Sequence, residues 1–292
     1  MSTIGLIIEE RSTTIGNFRV GRLLPFREKR AVGPFVFIDH MGPTEIPAGE
    51  GLDVPPHPHI GLSTLTYLFE GSILHKDSLG NELEITPGAV NWMTAGKGIV
   101  HAERTAADKR IVANRLHGLQ IWIALPKEME QCQPAFTHIR ATEIPQWIEK
   151  GALFKLIAGE ALGKISPVPV FSKLFLLEIK NTGSLRLDLA DQLYGESAIY
   201  ILEGQVIQEE HSFGPKNVLV ANNDSLCSFE LAPNSTIYIF GGEPFPEERF
   251  IDWNFVASDK GLIEMARENW KNQRFPKVPG ETEFVPLPQR KI

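Results

Sequence analysis

Two seven-residue stretches of this 292-residue chain resemble each other at a distance close to half its length. The first runs from Tyr67 to Ile73 (YLFEGSI), and the second, 133 residues later, runs from Tyr200 to Val206 (YILEGQV). Each is typical of a strand that enters a glycine turn. Because domains usually have about 100–200 residues, the repeat predicts two β domains of one type. We place them at residues 1–135 and 136–292.

The remainder of the chain also favours an all-β fold. Short runs rich in β-branched and aromatic residues alternate with glycine and proline, and many such strands with regular turn signals indicate a sandwich or a barrel. These runs lie at residues 35–38, 62–69, 119–124, 153–157, 174–179, 199–202 and 236–240.

One segment near the C-terminus predicts a helix instead. Asp259 can cap its first turn, and Leu262, Ile263, Ala266 and Trp270 recur at helical spacing on one face. The proline-rich tail that follows, residues 274–288, is predicted to be extended.

Two pairs of side chains have the character of metal ligands. His57 and His59 flank one residue, as do His101 and Glu103. Residues at i and i+2 on a strand point to the same face, so neighbouring strands would bring three imidazoles and one carboxylate together. Such a set suits Fe, Mn, Ni, Cu or Zn, and it leaves one or two positions for water, O2 or substrate. For each histidine alone, an ordinary hydrogen-bonded core or surface role is the alternative.

Composition excludes several classes of function. The net charge is −7, the pI is about 5.7 and no basic stripe occurs, so direct binding to nucleic acid is not expected. Two distant cysteines, Cys132 and Cys227, suggest neither a disulfide framework nor a thiolate metal site. No signal-peptide pattern and no long apolar run is present, which predicts a cytoplasmic protein without a membrane partner. A nuclear location stays open for a eukaryotic source.

The spacing of the ligand pairs resembles the cupin superfamily, in which a H-x-H motif precedes a glycine-ended strand and a second motif ends G-x-x-H. Here the second motif is Gly98 to His101. The chain departs from the superfamily pattern because Ser63 and Thr64 occupy the place of the usual glutamate ligand, while Glu103 offers a carboxylate from the other strand. That departure is similar to the pattern of pirins.

Further stretches resemble pirins and together extend from near residue 15 to near residue 288. They lie at residues 37–43, 77–81, 92–104, 118–122 and 274–280. The resemblance implies two cupin (jelly-roll type) β-barrels packed face to face, with a short C-terminal helix and an extended tail. Only the first barrel would hold metal. An ungapped alignment of the repeat places Ala190, Gln192, Cys227 and Phe229 where His57, His59, His101 and Glu103 stand in the first half.

The resemblance also implies an activity, since pirins are similar to quercetin 2,3-dioxygenases. The substrates would be O2 and a flavonol such as quercetin, and CO would be released. Glu103 would act as a general base as well as a ligand. Iron is the first expectation for the metal, with Mn, Ni, Co, Cu and Zn as alternatives.

Residues around the metal are expected to form two groups, although ordinary packing is an open alternative for each member. The cavity wall would include Phe37, Val54, Trp92, Met93 and Trp122. Hydrogen-bond partners of the ligand imidazoles would come from Asp39, His40, His117 and Gln120.

Two other functions compete with catalysis. The family resemblance also permits a metal-dependent or redox-dependent regulator that binds a transcription factor or a metabolic enzyme without turnover. A plainer possibility is a metal-stabilised β scaffold. Glu103 discriminates among them, because loss of its carboxylate should abolish ring opening and leave binding to a protein partner almost unchanged.

Overall fold

The computed structural model describes residues 4–15, 18–190, 192–222 and 228–289, and this part of the chain is built almost entirely from strands. The strands are β1 Ile4–Glu9, β2 Arg11–Ile15, β3 Phe18–Leu24, β4 Phe35–Ile46, β5 Asp53–His59, β6 Leu62–Glu70, β7 Ile73–Asp77, β8 Glu82–Ile85, β9 Val90–Thr94, β10 Ile99–Arg104, β11 Asn114–Ala124, β12 Ala135–Ile139, β13 Gln146–Glu149, β14 Ala152–Ala161, β15 Lys164–Ile165, β16 Leu174–Asn181, β17 Leu185–Asp188, β18 Glu196–Glu203, β19 Val206–Gln208, β20 His211–Phe213, β21 Asn217–Ala221, β22 Ser228–Leu231, β23 Thr236–Gly242, β24 Phe250–Asp252 and β25 Phe255–Ala257. One α-helix, α1, spans Lys260–Lys271, and two 3-10 helices span Ala107–Ile111 and Lys127–Met129. The all-β prediction is confirmed.

One compact unit comprises Thr13–Val20, Asp39–His138 and Pro246–Ile292. It contains a four-stranded sheet in the order β5-β10-β7-β8, and most of a seven-stranded sheet in the order β12-β9-β6-β11-β4-β3-β2. Neighbouring strands are antiparallel throughout the four-stranded sheet. This small sheet carries both predicted ligand pairs.

The other compact unit comprises Met1–Ser12, Gly21–Ile38 and Ile139–Phe245. Its larger sheet has the order β1-β21-β18-β23-β16-β14-β13, with β15 paired to β14, and its smaller sheet has the order β17-β22-β19-β20. The core between these strands is apolar and includes Phe229, the residue aligned with Glu103. Ala190 and Gln192 are exposed, and Cys227 lies outside the described residues.

The two units do not follow a single cut in the sequence. Helix α1 and the tail belong with the strands of the first half, whereas a division after residue 135 assigns them to the second. The reason is packing, because the buried face of α1, with Ile263 and Trp270, lies in one apolar cluster with Ile60 and Val100. Ile60 directly follows β5 and Val100 lies in β10, so both are next to the predicted ligands.

The internal repeat has the predicted geometry. Strands β6 and β18 run into Gly71 and Gly204, whose φ angles are +83° and +74°. A Cβ atom on Gly71 would lie 2.2 Å from the carbonyl oxygen of Arg115, and one on Gly204 would lie 2.1 Å from Oγ of Ser235. Both turns therefore require glycine for the same two reasons, the sign of φ and the close approach of a neighbour.

The predicted helix and its cap are confirmed. Oδ1 of Asp259 accepts a hydrogen bond from the backbone N–H of Gly261 at 2.7 Å. The tail beyond residue 273 has no regular secondary structure, and Val285 anchors it by donating its N–H to the carbonyl of Pro56 and accepting from Nε1 of Trp270. In the described part of the chain, no helix is long and apolar enough to cross a membrane.

Candidate metal centre

Strand β5 can hold two histidines among prolines because it lies at the edge of its sheet. Proline has no N–H to donate, so it is tolerated where one side of a strand has no partner. Pro56 and Pro58 alternate with His57 and His59, and all four residues are buried. The strand therefore directs both imidazoles to one face and both prolines to the other.

The register of β10 brings the third imidazole to the same place. His101 lies directly opposite His57 across the β5–β10 pair. The centroid of the His101 ring is 4.3 Å from that of His57 and 5.0 Å from that of His59, and the rings of His57 and His59 are 5.1 Å apart. One nitrogen of each ring lies within 4.8 Å of one nitrogen of each of the others.

This arrangement fits a transition metal. Nε2 of His59 and Nε2 of His101 are 3.1 Å apart. Two nitrogens that each bind an ion at about 2.1 Å and meet it at a right angle are about 3.0 Å apart. In addition, Nδ1 of His57 lies 2.9 Å from the carbonyl oxygen of Pro55, which leaves Nε2 of that ring as the ligand atom. The cluster of His57, His59 and His101 can hold a metal ion.

Burial keeps the three imidazoles neutral, as metal ligands must be. Desolvation lowers the pKa of His57 to about 4, although the hydrogen bond with Pro55 opposes the change. Burial and the neighbouring imidazoles also lower the pKa values of His59 and His101 well below the usual 6.5. Protons therefore compete weakly with a metal for these nitrogens near neutral pH.

Glu103 lies on the same face as His101, beyond an irregularity that shifts its partner on β5 to Val54. It is not a member of the three-residue group whose donor atoms lie within 4.8 Å of one another. Within the described part of the chain, its carboxylate has no hydrogen-bond or salt-bridge partner, and burial raises its pKa to about 7. This carboxyl group can therefore exchange a proton near neutral pH.

The predicted cavity wall divides between two faces of one sheet. Trp122 is opposite Thr64, which is opposite Met93, so these three share a face. That face meets the metal cluster, because the Trp122 ring contacts His59 edge-on with the centroids 5.1 Å apart. Trp92 is the neighbour of Met93 in sequence and faces the other way.

The other two predicted wall residues belong to strands β5 and β4. Val54 packs against an apolar cluster at the start of β5. Phe37 lies in the other compact unit, where the guanidinium of Arg22 lies 4.5 Å from the centre of its ring.

The predicted hydrogen-bond partners occupy strands β4 and β11. His40 and His117 face each other, with their Nε2 atoms 2.8 Å apart. Oε1 of Gln120 accepts a hydrogen bond from Thr66 at 2.9 Å. Thr66, Gln120 and Asn91 occupy one row across three strands on the face of Trp122, so this face of the sheet carries polar groups. Asp39 is fully buried.

The sequence reasoning missed a third i, i+2 pair, His75 and Asp77 on β7. Both residues are buried, and Nε2 of His75 lies 3.1 Å from Oδ2 of Asp77. The His75 ring is 5.3 Å from the His101 ring. The signal was present as a histidine and an aspartate separated by one residue, the same spacing that identified the two predicted pairs.

Comparison with known proteins gives concordant results. Residues 17–123 match the family model described as Pirin, and residues 176–276 match that of the Pirin C-terminal cupin domain. A pirin-like protein of Caulobacter vibrioides is 45% identical over 98% of this chain and 100% of its own length. Human pirin is 28% identical, with 93% of this chain and 92% of that protein covered. The structure also resembles that of a quercetin 2,3-dioxygenase from Acinetobacter baumannii, with a TM-score of 0.89, 34% identity, and coverage of 98% of this chain and 95% of that one.

Proposed function

The chain belongs to the pirin family, with two cupin domains, and we propose on that premise that it is a metal-dependent dioxygenase that opens a flavonol such as quercetin. The reaction would consume O2, cleave the C2–C3 and C3–C4 bonds of the central ring, add the two oxygen atoms of O2 at carbons 2 and 4, and release carbon 3 with its hydroxyl oxygen as CO. The observation that carries the proposal is the group of three buried imidazoles at ligand spacing, in a fold that resembles a quercetin 2,3-dioxygenase.

We assign the metal to His57, His59 and His101, with Glu103 as the fourth ligand and iron as the first choice of ion. When bound, such an ion lowers the pKa of a coordinated hydroxyl group and supplies the redox chemistry that O2 requires. The three imidazoles are neutral near pH 7, which is the form that binds metal.

Glu103 has the properties of the general base. Its raised pKa, about 7, is close to the value at which a carboxylate accepts a proton most effectively under neutral conditions. In the proposed reaction Glu103 would leave the metal, and one of its carboxylate oxygens would take the proton of the flavonol 3-hydroxyl and hold it until ring opening is complete. Because no other side chain stabilises the charge of this carboxylate in the described structure, protonation costs it no hydrogen bond.

The sheet face that carries Trp122 suits a flat, hydroxylated aromatic substrate. Trp122 and Met93 offer apolar surface beside His59, and aromatic side chains favour stacked or edge-on contact with such rings. Thr66, Gln120 and Asn91 on the same face offer hydrogen-bonding groups for hydroxyl substituents. Binding sites for small molecules typically combine apolar walls with a few polar groups in this way.

The test begins with protein purified without a His tag, whose metals are measured by mass spectrometry. The chain is then loaded anaerobically with Fe(II), Mn(II), Ni(II), Co(II) or Cu(II) and given quercetin in air, and the loss of flavonol absorbance and the release of CO are recorded. We expect turnover that depends on the metal. His101→Ala should lose both the metal and the turnover, whereas Glu103→Gln should lose the turnover and retain much of the metal.

His211→Ala is the matched control, because His211 is an exposed histidine of the other unit and should leave turnover unchanged. Stoichiometric metal without turnover on any flavonol would contradict the dioxygenase and favour the regulatory alternative. No bound metal in any preparation would contradict both.

A further inference from the structure

Strand β7 places two polar residues on the face that carries the proposed ligands. Asp77 lies directly opposite His101 across the β7–β10 pair, and His75 lies directly opposite Glu103. Residues directly opposite each other in an antiparallel pair share a face of the sheet. The two i, i+2 pairs therefore form a square on adjacent strands, with a histidine and a carboxylate at each end.

The ring of His75 lies only slightly farther from His101 than the three clustered imidazoles lie from one another. Its centroid is 5.3 Å from that of His101, compared with 4.3 to 5.1 Å among the three clustered imidazoles. The group of donor atoms within 4.8 Å includes neither His75 nor Glu103. Membership of that group therefore does not distinguish Glu103 from His75 as the fourth ligand.

The partners of His75 are those of a metal-binding histidine. A ligating imidazole usually donates the N–H of its other ring nitrogen to a carboxylate, a backbone carbonyl or water. This hydrogen bond fixes the tautomer and makes the ligating nitrogen more basic. Nε2 of His75 has that partner in Asp77, at 3.1 Å, so Nδ1 is the nitrogen with the free lone pair. Phe136 stacks on the ring at 4.4 Å with an interplanar angle of 13°, which restrains its plane.

Asp77 is itself held firmly. Its Oδ1 accepts from the N–H groups of Leu79 and Asn81 at 2.9 and 3.1 Å, and the side-chain amide of Asn81 lies within 3.1 Å of both oxygens. A carboxylate held by these bonds can orient the histidine beside it.

We propose that His75, oriented by Asp77, is a reserve metal ligand that shares the fourth position with Glu103. Within the proposed function, the exchange would break the bond from a Glu103 oxygen to the metal and form one from Nδ1 of His75. Nε2 of His75 would keep its proton and continue to donate it in the hydrogen bond to Asp77. Neither His75 nor Glu103 would change oxidation state. The carboxylate could then hold a substrate proton while four protein atoms still bind the metal.

Metal affinity and imidazole number test this inference without reference to turnover. The proteins are the full chain, Glu103→Ala, His75→Phe and the double variant, and phenylalanine keeps the aromatic contact with Phe136. Fe(II) affinity is measured by anaerobic titration, and coupled imidazoles are counted by pulsed EPR of the Cu(II) form. His211→Phe is the matched control, because His211 also stacks on a phenylalanine, with an interplanar angle of 17°.

We expect Glu103→Ala to weaken Fe(II) binding about 10-fold and to gain one coupled imidazole. Addition of His75→Phe to that variant should weaken binding by about a further 100-fold and remove the extra imidazole, whereas His75→Phe alone should change affinity by less than about 3-fold. If His75→Phe fails to fold, alone or in the double variant, as judged by thermal unfolding of the metal-free protein, His75→Leu replaces it.

An unchanged imidazole count in Glu103→Ala, with an affinity that His75→Phe does not alter, would overturn the proposal. It would leave His75 as a packing residue. A full chain that binds neither ion would overturn this proposal and the proposed function together. Absence of flavonol turnover in the full chain, together with the expected imidazole counts in the variants, would contradict only the dioxygenase. The two proposals can therefore fail separately.

Discussion

Nε2 of His59 lies 3.1 Å from Nε2 of His101, although the two residues are 42 positions apart in the chain. They are not directly opposite each other, since His59 pairs with Ile99 and His101 pairs with His57. The contact is therefore diagonal across two strands of one sheet. Two buried imidazole nitrogens at this distance share one proton or one metal ion, and the second possibility leads to the following predictions.

Metal should stabilise the folded chain against heat. An ion that binds only the native state at 100 times its Kd adds about 2.7 kcal/mol to the free energy of unfolding. We expect the midpoint of thermal unfolding to rise on addition of Co(II), to return on addition of a chelator, and to respond little in His101→Ala. An equal rise in His101→Ala would contradict the site.

The metal-free chain should lose stability when the pH falls from 6.5 to 4. In that range the unfolded chain binds protons at His57, His59 and His101, while burial keeps these residues neutral in the folded state because their pKa values are lowered. For His57, whose pKa falls to about 4, the loss approaches about 3 kcal/mol at pH 4.

Glu103 has the opposite effect on the free energy of unfolding. Burial raises its pKa to about 7 in the folded state, so the folded chain binds a proton there before the unfolded chain does as the pH falls, and this favours the folded state. Urea unfolding of the metal-free protein between pH 4 and 8 measures the balance. In Glu103→Gln the loss of stability on acidification should be steeper, and in His57→Asn it should be shallower. Identical curves for all three proteins would contradict the assigned pKa changes.

Glu130→Ala should destabilise the unit that carries the metal centre by about 3–5 kcal/mol. The Glu130 carboxylate is buried, accepts from the N–H and the hydroxyl of Ser258, and lies 3.3 Å from Nε of Arg249. Its removal leaves a buried guanidinium without that charge partner. Glu247→Ala is the matched control, since Glu247 contacts the same arginine at 3.3 Å from a more exposed position and should cost less than about 1 kcal/mol. Urea unfolding compares the two variants.

Gly61→Ala should be far more damaging than Gly163→Ala. Both glycines have positive φ, +66° and +68°, so both substitutions carry the same backbone cost of about 1 kcal/mol. At Gly61, however, the new Cβ would lie 1.9 Å from the carbonyl oxygen of Val256, whereas at Gly163 nothing lies within 4 Å. Since Gly61 follows His59 by two residues, we also expect weaker metal binding in Gly61→Ala. Equal melting temperatures for the two variants would contradict this account.

Local patterns in the sequence were sufficient for several features. The glycine turns at Gly71 and Gly204 follow from the repeat, because a positive φ next to a crowding neighbour is a local requirement. The cap at Asp259 and the buried stripe of α1 follow from helical spacing. The i, i+2 spacing placed His57 with His59 on one face of a strand and His101 with Glu103 on one face of another, since alternation is a property of every strand.

Other features depend on pairings between distant segments, which no local pattern encodes. The register of β7 against β10 put His75 and Asp77 beside the proposed ligands, and a shift of one residue would have turned both away. Likewise, Trp122 and Trp92 look equally suitable in sequence, and the registers of β11 and β9 on β6 placed only Trp122 on the face that meets His59. The sequence by itself thus determined the strands, the turns and the donor types. The tertiary structure alone decided which side chains face one another across strands, because strand register sums small contributions along the whole length of each pair.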